Sequence, residues 1–256
     1  MSYPDENLNG LRVLVTGGTR GLGAATVRRF AAAGATVLAT ARSAPVGELP
    51  ATFIPADLSS EDGVARLAER VTDAVGGVDI LVNNAAAASA PAPTLQRTDA
   101  SWLADLDMNL LNAVRLDRAL VPGMVERGSG VVVHVSSISS HLPLQREASY
   151  TAAKAALNAY SRELALEVAP QVRVVCVVPG FVLTEGAEQH LTQIADQQGI
   201  DGPTFVKQVV DGVQLPMGQP GDPEDVAEMI AFLASPRAKW LTGAQYRVDG
   251  GILPTV

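Results

Sequence analysis

The stretch VLVTGGTRGLGAATVRRFAAAGA, Val13–Ala35, decides the fold. An apolar, β-branched run passes through Gly17, Gly18, Gly21 and Gly23 into Ala- and Arg-rich sequence suited to a helix. Strand, glycine turn and helix in that order open a βαβ unit. Glycines allow positive φ and let the backbone come close to a ligand. The helix N-terminus then offers free N–H groups to an anion. The loop is not G-x-G-x-x-G, because Thr26 stands where the last glycine belongs, and no Gly-Lys-Ser/Thr follows to make a P-loop. Taken alone, it also suits a tight turn that binds nothing.

Outward from this stretch the pattern repeats. Strands are expected at 12–16, 36–40, 52–54, 78–82, 130–136, 172–178 and 246–249, and helices at about 21–33, 60–75, 99–127, 149–169 and 223–234. Alternation of this kind implies a parallel sheet. Continuous apolar strands imply that both faces are covered. Right-handed crossovers make the sheet doubly wound. The expectation is an α/β fold: a single Rossmann-type domain over 1–256, with seven parallel strands flanked by helices. The segment 184–220 has weak helical pieces, scattered Gly and Pro, and no strand. An insertion between the sixth and seventh strands falls at the ligand-binding edge, so it reads as a substrate lid.

Composition narrows the partners. The chain has 256 residues, 47% hydrophobic, with a net charge of −8 and a pI of about 4.9. There is no Lys/Arg block, so nucleic acid is not expected. No apolar run is long enough to span a bilayer, and the acidic, polar start MSYPDENLNG is unlike a signal peptide. Cys176 is the single cysteine, and His134, His141 and His190 are far apart, so neither a disulfide nor a metal site is expected. A soluble protein of a reducing compartment, the cytoplasm, fits these features.

The second strand bears on the cofactor. A site preferring NAD carries an acid near the end of that strand for the ribose 2′-OH. Here Ala41 and Arg42 stand there, and Arg20 lies in the glycine loop. Two guanidinium groups and no carboxylate suit a 2′-phosphate, so NADP is expected over NAD. Further along, SYTAAKAALNAYSREL, Ser149–Leu164, sets Tyr150 four residues before Lys154, on one face of a helix.

These motifs together resemble the short-chain dehydrogenase/reductase family across essentially the whole chain. TGGTRGLG (Thr16–Gly23) resembles its cofactor loop, and NNAA (Asn83–Ala86) its Asn-Asn-Ala-Gly, with Ala86 in place of the glycine. Asp57 in ADLS, Asn109 in DMNLLNA, Ser137 thirteen residues before Tyr150, PGFVLT (Pro179–Thr184) and TGAQYRVDGG (Thr242–Gly251) follow in the family's order. The resemblance implies a cofactor site of Gly17, Thr19, Arg20, Gly21, Leu22, Gly23, Ala41, Arg42, Asp57, Leu58, Asn84, Ala85, Pro179, Gly180, Val182 and Thr184, with Tyr150 and Lys154 adjoining. It implies hydride transfer between a nicotinamide and a carbonyl/alcohol pair. Tyr150 is then general acid/base, Lys154 lowers its pKa and binds the ribose, and Ser137 orients the substrate oxygen. Asn109 holds a relay water, and Thr184 contacts the carboxamide.

Ser136 and Ser137 should diverge if the strand continues through them. Ser139, His141, Gln145 and Phe181, with Leu142 and Leu183, are expected to line the substrate pocket. The extra methyl of Ala86 puts the shape of that pocket in question. Apolar residues on more than one face of 99–127 agree with the dimers and tetramers frequent in the family. Two other readings remain open: the same reaction with NAD, and a cofactor-binding regulator without turnover.

Overall fold

The computed structural model describes residues 7–143 and 146–254. Seven strands form one parallel sheet: β1 (Arg12–Thr16), β2 (Thr36–Ala41), β3 (Thr52–Pro55), β4 (Ile80–Asn83), β5 (Gly130–Val135), β6 (Val172–Pro179) and β7 (Gln245–Val248). Their spatial order is β3-β2-β1-β4-β5-β6-β7. The order reverses between β1 and β4, and the crevice at the carboxyl ends of these two strands is the expected ligand position in such a sheet.

Each strand serves two cores because successive side chains point to opposite faces. Val13 and Val15 of β1 join Val27 and Phe30 of α1 (Gly21–Ala32) and Ile230 and Leu233 of α8 (Pro223–Ala234). Leu14, between them, faces the other way. It joins Val64 and Leu67 of α2 (Glu61–Val75) and Leu116 and Leu120 of α4 (Asn112–Arg127). That double burial is why the strands carry unbroken apolar runs.

The helix expected over 99–127 is interrupted. It comprises α3 (Asp99–Leu106), a π-helical turn at Asp107–Leu111, and α4. The Asn112 N–H reaches Asp107 O, which inserts the extra residue of a π turn. α5 (Ala148–Val168) carries Tyr150 in its first turn. The segment 184–220 holds two helices, α6 (Glu185–Gln198) and α7 (Gly202–Gly212), that contact each other. Its ends are tied together: Gly221 N–H donates to Phe181 O, and Leu183 N–H to Gly221 O. No helix among the described residues is long and apolar enough to cross a membrane.

Candidate active site

The glycine loop is a cradle because its atoms leave no room for side chains. A Cβ on Gly23 would stand 2.0 Å from Gly17 O and 2.7 Å from Asn84 Nδ2. Gly17 and Gly21 have φ of 64° and 51°, in the left-handed region. At Arg20, the residue before α1, no side chain caps the helix. The first N–H groups of α1 therefore remain available to an anion. A Gly21 Cβ would meet Thr184 at 3.2 Å, so the loop packs against the segment after β6. A Gly180 Cβ would meet Asp249 Cα at 2.6 Å. A close backbone approach with open N–H groups fits a pyrophosphate.

Across the switch point, β1 and β4 are stitched. Thr16 Oγ1 accepts from the N–H groups of Asn84 and Ala85, both at 2.9 Å, and Asn84 Nδ2 donates to Thr16 O at 2.8 Å. Asn112 Nδ2 holds Ala85 O at 3.1 Å. Ala86 is exposed and is not among the residues with positive φ. The glycine it replaces is therefore not required by the backbone here.

Arg20 and Arg42 are both exposed. Arg42 lies near enough to Asp57 to help hold that carboxyl below its usual range, although hydrogen bonds from Ser59 are the main cause. Those bonds, 3.0 Å from the N–H and 2.8 Å from Oγ, occupy one Asp57 oxygen. Leu58 is buried in the core, so only its backbone can serve a ligand. The Thr184 hydroxyl accepts from Ala187 N–H at 3.2 Å and caps α6, and so is turned to its own helix.

Beyond β5 the two serines diverge as expected. Ser136 Oγ is buried and points to Lys154 O at 3.4 Å. Ser137 Oγ lies 3.2 Å from Ser139 Oγ and is close enough to the Tyr150 phenol to draw its pKa down. Lys154 Nζ stands 5.9 Å from the centre of the Tyr150 ring and donates to Val135 O at 2.8 Å. Burial pushes the Lys154 ammonium down to about 8 and pushes the Tyr150 phenol up. Desolvation is the main cause at Tyr150, the nearby carboxylates Glu147 and Asp105 act in the same upward direction, and Ser137 acts against them. Cys176 is buried close to Lys154 and is pushed up to about 12, which makes it an inert thiol.

Asn109 sits inside the π turn and is buried. Both its amide hydrogens are engaged, with Ala87 O at 2.6 Å and Asp105 O at 2.9 Å, and its Oδ1 accepts from Ala87 N–H at 3.3 Å. Its side chain thus pins the 84–87 loop to the helix, and only the amide oxygen has capacity for a relay water.

Among the expected pocket residues, Ser139 lies beside Ser137, and Phe181 and Leu183 are half-buried after β6. His141 is exposed. Its Nε2 is 2.7 Å from Gln245 Oε1 and 3.4 Å from Asn158 Nδ2. Gln245 opens β7 opposite Cys176, well back from the carboxyl edge at Pro179 and Val248. His141 directly follows the 3-10 turn at Ile138–Ser140. Leu142 is exposed. Gln145 lies outside the described residues.

Sequence reasoning missed Thr16, Arg97, Asp105, Asn112 and Ser149. The only available signal was the four-residue spacing of Asp105 and Asn109, which puts both on one helix face. A lone acid on a helix is ordinarily solvated, so its position in the sequence gives Asp105 no weight.

Comparison with known proteins agrees with this fold. A family model described as enoyl-(acyl carrier protein) reductase matches residues 17–253. The 3-oxoacyl-acyl-carrier-protein reductase of Vibrio cholerae is 31% identical over 254 residues, 96% of this chain and 98% of that protein. L-xylulose reductase of Mesocricetus auratus is 33% identical, over 98% of this chain and all of that protein. The structure of L-sorbose reductase from Gluconobacter frateurii, complexed with NADPH and L-sorbose, superposes with a TM-score of 0.92. It is 32% identical and covers 98% of this chain and 100% of its own. The chain belongs to the short-chain dehydrogenase/reductase family and is an oxidoreductase.

Proposed function

We propose that the protein is an NADP(H)-dependent oxidoreductase interconverting a ketone or aldehyde and the corresponding alcohol. The observation that carries this reading is the gathering of Ser137, Tyr150 and Lys154 beside a glycine cradle at the carboxyl edge of the sheet. The nicotinamide, when bound, supplies or accepts the hydride. Tyr150 donates a proton to the carbonyl oxygen in reduction and takes it back in oxidation. Ser137 donates a hydrogen bond to the same oxygen and fixes its direction. Lys154, held on Val135 O beneath the tyrosine, favours the phenolate once proton transfer begins and binds the ribose. Asn109 fixes the loop that floors the cleft and offers its amide oxygen to a relay water.

Arg20 and Arg42, exposed and with no carboxylate at the end of β2, support NADP over NAD, as does the NADPH bound by the sorbose reductase. Helices α6 and α7, tied at their base by Phe181, Leu183 and Gly221, form the substrate lid. On 99–127, Leu116 and Leu120 are buried, but Trp102, Leu106, Met108, Leu110, Leu111 and Val114 stay half-buried and Leu103 is exposed. That apolar surface suits a homodimer or homotetramer.

NADPH oxidation against a panel of ketoses, aldoses, simple ketones and β-keto thioesters tests the reading. Tyr150→Phe should bind NADPH normally and lose turnover. Unchanged turnover removes the assignment of the acid. NADPH binding by the wild type with no turnover on any class of substrate favours the regulator reading instead.

A further inference from the structure

Beneath the cleft lies a second polar cluster that the chemistry above does not use. Asp105 is 2% exposed, yet its carboxylate is fully engaged. One oxygen accepts from Ser89 N–H and Ser89 Oγ, both at 2.8 Å, and the other accepts a short hydrogen bond from Ser149 Oγ. Arg97 Nη1 stands 3.6 Å away, and the two side chains are 1% and 3% exposed. Arg97 also donates to Ser101 Oγ at 3.0 Å and to Arg146 O at 2.7 Å. Arg146 has a φ of 70°, an uncommon conformation for a residue with a side chain, and its carbonyl accepts from Ala92 N–H as well.

Three segments therefore meet at one buried ion pair: the loop carrying Ser89 to Ala92, helix α3, and residues 146–149 at the start of α5. Ser149 immediately precedes Tyr150, and Asp105 O accepts from Asn109 Nδ2. A buried pair of this kind contributes little net stability compared with apolar packing, so its value lies in fixing one arrangement.

We propose that Asp105 is a positioning residue for this active site. Through Ser149, Ser89 and Arg97 it fixes the Tyr150 phenol relative to Ser137 and Asn109. The inference rests on the reading of Tyr150 as the acid/base. Small displacements of a proton donor cost large factors in rate, on the order of a hundredfold per ångström.

The test uses the full-length enzyme with NADPH and its best carbonyl substrate. Ser149→Ala, which keeps the Asp105–Arg97 pair intact, should lower kcat about tenfold and leave NADPH affinity within about twofold. Asp105→Asn should lower kcat further, and the double variant should be no worse than Asp105→Asn alone, because both act through one contact. The groups facing Tyr150 are Ser137, Lys154, Glu147 and Asp105, and those facing Asp105 are Arg97, Ser89, Ser149 and Glu147. Asp105 and Glu147 both raise the phenol. Removing the Asp105 charge should therefore move the ascending limb of kcat/KM for alcohol oxidation to lower pH, which a merely structural lesion would not do.

A Ser149→Ala enzyme within twofold of wild type in kcat overturns the proposal. So do additive effects in the double variant, or a folded Asp105→Asn enzyme with an unmoved limb. If Asp105→Asn does not fold, the Ser149→Ala result decides. If Tyr150→Phe retains turnover, the acid/base reading itself has failed. A dead Tyr150→Phe beside a normal Ser149→Ala sinks only the positioning role.

Discussion

Lys154 provides the sharpest physical test, because its charge is buried before any ligand arrives. It is 2% exposed, and its pKa falls from 10.5 to about 8, chiefly through desolvation. That fall corresponds to about 3 kcal/mol of destabilisation of the charged, folded form. In Lys154→Met the penalty disappears. The hydrogen bond to Val135 O, worth about 1.5–3 kcal/mol, disappears with it. The two nearly cancel at pH 7, so the informative quantity is the pH dependence.

Below pH 8 the lysine is protonated in both the folded and unfolded chains, and the burial penalty is present in full. Between 8 and 10.5 the unfolded chain keeps a proton that the folded chain has released, so wild-type stability rises by about 1.4 kcal/mol per pH unit relative to the variant. Above 10.5 the gain is complete, at about 3 kcal/mol. Tyr150, Tyr160 and Cys176, all raised by burial, act in the opposite sense. The two tyrosines are present in both proteins and subtract out. Cys176, pushed up to about 12 beside Lys154 and higher still without it, stays protonated over the measured range in both folded proteins and subtracts out as well. Urea unfolding followed by Trp102 and Trp240 fluorescence, on cofactor-free protein from pH 7 to 10.5, measures the difference. A flat difference across 8–10.5 would refute the claim that burial holds the Lys154 ammonium down.

Gly23→Ala forces a methyl to within 2.0 Å of Gly17 O. The resulting loop shift should weaken NADPH binding about thirtyfold, or about 2 kcal/mol, by fluorescence titration. Asp117 is 1% exposed and accepts from Asn83, Tyr160 and the buried His134. Asp117→Ala should cost about 3–5 kcal/mol in urea unfolding, since the buried Asn83 and His134 and the half-buried Tyr160 lose their shared partner. Arg42→Ala should reduce the NADPH-over-NADH ratio of kcat/KM by at least about tenfold through loss of a charge-assisted contact. An unchanged ratio rejects Arg42 as the phosphate reader.

The sequence by itself determined the sheet and the local chemistry. β-branched runs such as Val131–Val135 and Val172–Val178 form strands wherever both faces are covered, and the four glycines mark the first turn regardless of what packs around them. The four-residue step from Tyr150 to Lys154 is a local property of a helix, and so it was legible. Tertiary structure decided what depends on distant segments. The π turn around Asn109 goes with an amide that donates to Ala87 O, on a loop distant in sequence. The contact of His141 with Gln245 depends on where the first residue of the last strand falls. Desolvation is likewise collective: it took the packed chain to push Lys154 down to about 8 and to push the Tyr150 phenol up. The burial of Asp105 followed the same logic. No spacing in the chain announces a carboxylate whose partners come from residues 89, 97 and 149, because only folding brings those positions together.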